Sequence, residues 1–139
     1  MSLIHYGLHF HHFGLAVRDT ASAVKVLKGM GYAVGEQIQD PLQNVMLIWC
    51  DHEHMPAVEL VSPTQTPGPL DNMLVNQPEL FYHICYGAVN IDSSVTAIRD
   101  SGVRILTVLP PKPAILFDGR RVGFYQIKGF GLIEIVEEA

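Results

Sequence analysis

The sequence predicts an α+β chain built from two β-α-β-β-β modules in tandem. Three observations carry this reading. A displaced copy of the first segment recurs later in the chain, an amphipathic stretch sits between apolar runs in each copy, and a Pro- and Gly-rich stretch lies midway along the 139 residues. Sliding residues 10–34 by 71 positions, without gaps, lays them on residues 81–105. Phe10 then falls on Phe81, His12 on His83, Val24 on Val95, Gly31 on Gly102 and Val34 on Ile105. These positions have different structural jobs, so shared composition alone does not produce the match.

Each element follows in order. Residues 13–17 (FGLAV) are a short apolar run suited to a buried strand. Asp19 or Thr20 then offers a helix cap, and Ala21, Val24 and Leu27 fall on one helical face. Gly31 stands where a left-handed residue ends the helix. Residues 33–38, 45–50 (VMLIWC) and 57–61 (AVELV) complete the first module as strands. The second module repeats the pattern: a strand at 84–89 (ICYGAV), a cap at Asp92 or Ser93, and Val95 and Ile98 on the apolar helix face. Gly102 closes that helix, and strands follow at 104–108, 122–127 (VGFYQI) and 132–136 (LIEIV). Pro110, Pro111 and Pro113 cannot continue a helix or a central strand. The expected organisation is one domain over 1–139, with module one at about 10–62, a linker at about 63–80 and module two at about 81–138. A short helix fits residues 70–75 of the linker.

Composition narrows the function. With 48% hydrophobic and 17% charged residues, the chain can bury a core without disulfide staples. A net charge of −5 and the lack of any Lys/Arg run argue against nucleic acid or an anionic membrane as partner, and leave a small-molecule substrate. Cys50 and Cys85 lie in apolar runs without a CxxC pair and read as buried thiols of a reducing compartment. No basic region followed by an apolar stretch opens the chain, so a cytoplasmic location is the expectation.

The repeat also pairs residues that carry chemistry. His12 and His83 open the first strand of each copy. Glu59, within Val58-Glu59-Leu60-Val61, and Glu134, within Ile133-Glu134-Ile135-Val136, each sit mid-strand between apolar neighbours. A carboxylate there is costly to bury without a partner, and strand alternation turns it away from the face its neighbours pack. Two imidazoles and two carboxylates make a plausible shell for one divalent ion, with Zn, Ni, Co, Mn and Fe(II) all compatible. His5, His9, His11, His52 and His54 read as solvated surface histidines.

His12-Phe13-Gly14-Leu15-Ala16-Val17, Val58-Glu59-Leu60-Val61-Ser62-Pro63, Tyr82-His83-Ile84-Cys85 and Gly131-Leu132-Ile133-Glu134-Ile135 resemble the vicinal oxygen chelate superfamily over nearly the whole chain. That superfamily includes glyoxalase I, methylmalonyl-CoA epimerase and several dioxygenases. The resemblance implies a cup-shaped sheet around a metal held by His12, Glu59, His83 and Glu134, with Glu134 as the base. Within the superfamily the linker is similar to that of methylmalonyl-CoA epimerase. One departure stands out: Leu42 occupies the place of a loop glutamate that the epimerase uses as one of its two bases, and Asp40 lies two residues away.

One base and a metal suffice for an isomerase, a lyase or a one-sided proton transfer through an enolate or enediolate of a small oxo acid or thioester. Gln43, Arg120 and Arg121 are the expected substrate contacts, the arginines either as forks for a carboxylate or phosphate or as a solvated hairpin end. The alternatives are a binding protein of the bleomycin-resistance type and a partner subunit that has lost its own catalysis. Monomer and homodimer are both compatible with the sequence.

Overall fold

The structure, a computed structural model, describes residues 5–138, so the outermost residues of the expected 1–139 domain lie outside it. The chain divides into two compact units. One is His12–Tyr82; the other is His83–Ala139 together with the N-terminal segment through His11. Among the described residues, eight strands and three α-helices appear in the order β1 (Leu8–Val17), α1 (Thr20–Gly29), β2 (Ala33–Asp40), β3 (Val45–Asp51), β4 (Val58–Pro63), α2 (Leu70–Met73), β5 (Glu79–Ala88), α3 (Ile91–Asp100), β6 (Ile105–Pro113), β7 (Arg121–Ile127) and β8 (Gly131–Glu137). A single 3-10 turn, Ile115–Phe117, stands between β6 and β7. The β-α-β-β-β order therefore appears twice, and α2 is the short helix expected in the linker.

In the first unit the strand order is β2-β3-β4-β1. Strand β1 runs parallel to β4, with Phe13 opposite Val58 and Gly14 opposite Glu59, while β3 is antiparallel to both β2 and β4. Helix α1 covers one face. Leu27 packs there with Val17, Tyr32, Ile48, Cys50, Val58 and Leu60, and Leu15, Ala23, Val24 and Val34 flank them. Ala23 takes the inward place expected of Ala21, which is exposed. Each fully buried Leu, Ile or Val in such a cluster contributes about 1.5–3 kcal/mol of hydrophobic stabilisation.

The second unit repeats the arrangement as β6-β7-β8-β5, with β8 parallel to β5. Ile91, Val95 and Ile98 of α3 pack on Ala88, Ile105, Tyr125, Ile133 and Ile135. Strand β6 runs through Pro110, Pro111 and Pro113, and it does so at the outer edge of this unit's sheet, where a missing N–H breaks no ladder.

The helix ends follow the sequence in three places and depart in one. Asp19 caps α1, accepting from the Ser22 hydroxyl at 2.6 Å and from the Ser22 N–H at 3.0 Å, and these bonds hold its carboxyl below the usual range. Gly31 and Gly102 adopt φ of +93° and +89° just past the two long helices. The cap of α3 is Asn90 instead of Asp92 or Ser93, its side chain accepting from the Ser93 N–H at 2.9 Å. The helix thus begins at Ile91, because burying Ile91 on the sheet draws the first turn two residues toward the N-terminus.

Candidate metal centre

Strand alternation settles where the candidate ligands point. Val58 and Leu60 belong to the helix-side core of the first unit, so Glu59 faces the opposite side of the sheet. His12 lies two residues before Gly14, the register partner of Glu59, and so shares that face. Gly14 places no side chain between them. Both residues are buried, and His12 Nε2 stands 3.9 Å from Glu59 Oε1.

The second unit holds the same pair by the same means. Ile133 and Ile135 pack under α3, which turns Glu134 to the other face. Cys85 is its register partner, and His83 precedes Cys85 by two. His83 Nε2 lies 3.2 Å from Glu134 Oε1, and both side chains are buried.

These spacings and donor types bear on a metal. First-row ions bind imidazole nitrogen and carboxylate oxygen at about 2.0–2.2 Å, which gives neighbouring ligand atoms edges of roughly 3.0–3.4 Å. The His83–Glu134 separation falls on such an edge, and His12–Glu59 needs to close by about 0.5 Å, a small rotamer adjustment. Buried imidazoles beside buried carboxylates are the donor set that Zn, Ni, Co, Mn and Fe share. The residues fit a divalent ion.

An aromatic ring stands behind each pair. Trp49 is opposite Glu59 in the β3–β4 register and meets the His12 ring edge-on, with centroids 4.9 Å apart. Phe124 is opposite Glu134 in β7–β8 and meets His83 edge-on at 5.2 Å. Sequence reasoning passed over both, yet a signal was there: each ring precedes its glutamate by ten residues. The second halves of the modules are related by 75 positions where the first halves are related by 71.

The expected substrate contacts are placed unevenly. Gln43 lies half-buried in the β2–β3 turn, and its backbone N–H donates to Asp40 Oδ1 at 3.2 Å. Asp40 is itself buried, and its Oδ1 also accepts from the Leu42 N–H at 3.0 Å. The Leu42 side chain is 61% exposed. Arg121 commits its fork to Glu137, with Nε and Nη2 donating at 3.1 and 2.8 Å. The pair raises the arginine's pKa and lowers that of the carboxylate. Arg120 turns to the other side, with its guanidinium over the Phe117 ring at 5.8 Å.

Of the five histidines read as solvated, His5, His9 and His54 are exposed as expected, while His11 and His52 are half-buried and depart from that reading. His52 Nδ1 accepts from the N–H groups of His54 and Met55, so Nε2 carries the proton donated to Met30 O at 2.9 Å. That imidazole ties the β3–β4 turn to the end of α1. His9 pairs with Glu138 above Gly87, where a Cβ would lie 2.6 Å from both side chains. His11 meets Phe117 edge-on at 5.4 Å. Cys50 and Cys85 are buried and form no disulfide, as expected. Among the described residues no helix is long and apolar enough to cross a membrane.

Comparison with known proteins agrees with this fold. The family model of the Glyoxalase/Bleomycin resistance protein/Dioxygenase superfamily matches residues 11–124. No curated protein matches the chain. Among solved structures, methylmalonyl-CoA epimerase from Mycobacterium tuberculosis is 19% identical, with a TM-score of 0.76 over 100% of this chain and 92% of the other. A hypothetical protein from Bacillus halodurans C-125 is also 19% identical, with a TM-score of 0.79 and 95% of each chain covered. A Glu-to-Leu variant of methylmalonyl-CoA epimerase from Streptomyces coelicolor, in complex with 2-nitronate-propionyl-CoA, is 26% identical, with a TM-score of 0.71 and 94% of each chain covered. The repeated fold, the paired His and Glu residues and the matching family model together place the chain in the glyoxalase/bleomycin resistance protein/dioxygenase superfamily.

Proposed function

We propose that the protein is a metal-dependent isomerase or lyase of the glyoxalase/epimerase type, acting on a small oxo acid or thioester. The observation that carries the reading is the buried His–Glu pair on the helix-free face of each unit's sheet. His12, Glu59, His83 and Glu134 supply the ligands of one divalent ion. A bound ion supplies Lewis-acid stabilisation of the negative charge that develops on substrate oxygen as the α-proton leaves.

The chain's own residues do the rest. Glu134 takes the α-proton on Oε2, since Oε1 is the atom nearest His83 Nε2. Trp49 and Phe124 exclude water beside the imidazoles, which strengthens electrostatic interactions there. Gln43 and Arg120 contact the substrate. A second reading, binding without turnover, is favoured by Leu42, which leaves the β2–β3 turn without a second base.

The test is metal content by elemental mass spectrometry on tag-free protein, wild type beside His83→Ala and Glu134→Ala. About one ion per chain in wild type and clear loss in both variants is expected. Stoichiometric metal unaffected by either change refutes the ligand assignment. Solvent deuterium uptake at the α-carbon of oxo acids and acyl thioesters then separates turnover from binding.

A further inference from the structure

Arg120 is the half-buried arginine whose terminal nitrogens are unspent among the described residues. Its Nε donates to Phe117 O at 3.2 Å and its guanidinium lies over the Phe117 ring, so the head group is held while both Nη groups stay available. Phe117 is buried and is braced on another side by His11. The neighbouring anions are taken: Glu137 by Arg121 and Glu138 by His9.

The position matters as much as the pairing. Arg120 precedes Val122 and Phe124 on the alternation that faces away from α3, the face that carries Glu134 and His83. Between Phe124 and Arg120 this face carries Val122 and Val136, in register and both buried. They are flanked by Lys112 opposite Val122 and by the His9–Glu138 pair over Gly87, the register partner of Val136. The Arg120 and Phe124 backbones are four residues apart, about 13 Å in extended chain, with β7 beginning at Arg121. One end of the face thus offers metal ligands, the middle offers two buried valines with their polar groups already paired or exposed at the flank, and the far end offers a fixed guanidinium fork.

We propose that Arg120 recognises an anionic group, carboxylate or phosphate, at the far end of an elongated substrate whose two-oxygen head lies at His83 and Glu134. The inference rests on the metal-dependent reading above and adds the substrate's class: a chelating head and, a strand's length away, an anionic tail. A compact oxo acid does not reach from one end of the face to the other.

The test uses metal-reconstituted, full-length protein and two series of 2-oxo acids of increasing length, one ending in a methyl group and one in a carboxylate. Dissociation constants are measured by calorimetry for wild type, Arg120→Gln, Arg120→Lys and Arg121→Gln. At one chain length the terminal carboxylate should tighten binding to wild type by about tenfold or more. Arg120→Gln should lose that gain while binding the methyl-ended acids as wild type does. Arg120→Lys should restore part of it, and Arg121→Gln should keep it. If wild type binds both series equally at every length, or Arg120→Gln keeps the gain, the role of Arg120 is refuted while the metal reading stands. A variant that loses both series marks Arg120 as a structural prop and overturns the proposal. If the protein takes up no metal, or the loaded wild type binds neither series, the metal reading falls and takes this proposal with it.

Discussion

Replacing Phe124 by Leu tests whether the ring behind His83 does more than fill space. Phe124 is buried, opposite Glu134 in register and edge-on to the imidazole. Leucine keeps most of the apolar volume, so the change in shape costs up to about 1.5 kcal/mol. Loss of the ring–ring contact costs a further 0.5–1.5 kcal/mol or so. The sum, about 0.5–3 kcal/mol, lowers the melting temperature of a chain this size by roughly 2–10 °C. Ile133→Val is the matched control, because Ile133 is equally buried but packs on the helix side. It costs about 0.5–1.5 kcal/mol. Urea unfolding of the metal-free proteins gives both stability losses, and competition with a chromophoric chelator gives metal affinity. Phe124→Leu should weaken metal binding by about tenfold, as loss of a group that orients a ligand does, and Ile133→Val should not. Equal metal affinity in the two variants would mean that the ring is packing alone.

Three further perturbations follow from described contacts. Burial, reinforced by the nearby Asp51 charge, pushes the Cys50 thiol up to about 11. Native protein at pH 8 should therefore alkylate very slowly at Cys50 and rapidly in urea; prompt native labelling of both cysteines would contradict this. The Arg121 bonds hold the Glu137 carboxyl below its usual pKa, so their stabilisation is complete above the ordinary carboxylate range and is lost as pH falls through the lowered folded value. Glu137→Gln should cost under about 1 kcal/mol near pH 7, and a deficit that persists undiminished at the lowest pH that preserves the fold would contradict the assignment. Asn44 holds a φ of +55° and binds Pro67 O, and its side-chain oxygen accepts from Thr64 and Thr66. Asn44→Ala should cost about 2 kcal/mol or more by thermal unfolding, and Asn44→Gly should recover the backbone share.

Much of the fold was legible because the chain states it twice. A single HHF or VEL triplet is ambiguous, but His12 with His83, and Glu59 with Glu134, constrained each other through the repeat. The faces of β4 and β8 could be read because Val58, Leu60, Ile133 and Ile135 had to pack somewhere, leaving the glutamates one way to point. What escaped depended on partners distant in sequence. Asn90 displaced Asp92 and Ser93 as the cap because Ile91 is drawn into the core. His52 looked solvated until Met30 O came within 2.9 Å of it. The pairing of Arg121 with Glu137, and the stacking of Arg120 on Phe117, place two adjacent arginines on opposite faces, which the Arg-Arg dipeptide alone does not reveal.

The slip from 71 to 75 positions falls mainly between the second and third strands of the modules, where the first has the tight turn at 41–44 and the second the longer connection at 114–120 with Phe117. The last residue lies in β6, which is 9 residues long against 8 for β2. The strands that carry the His–Glu pairs stay in step within each half, so the two modules differ in length without any change at the buried pairs. The longer connection is also the one that bears Phe117 and Arg120, so the modules diverge most where one of them holds a cation over a buried ring.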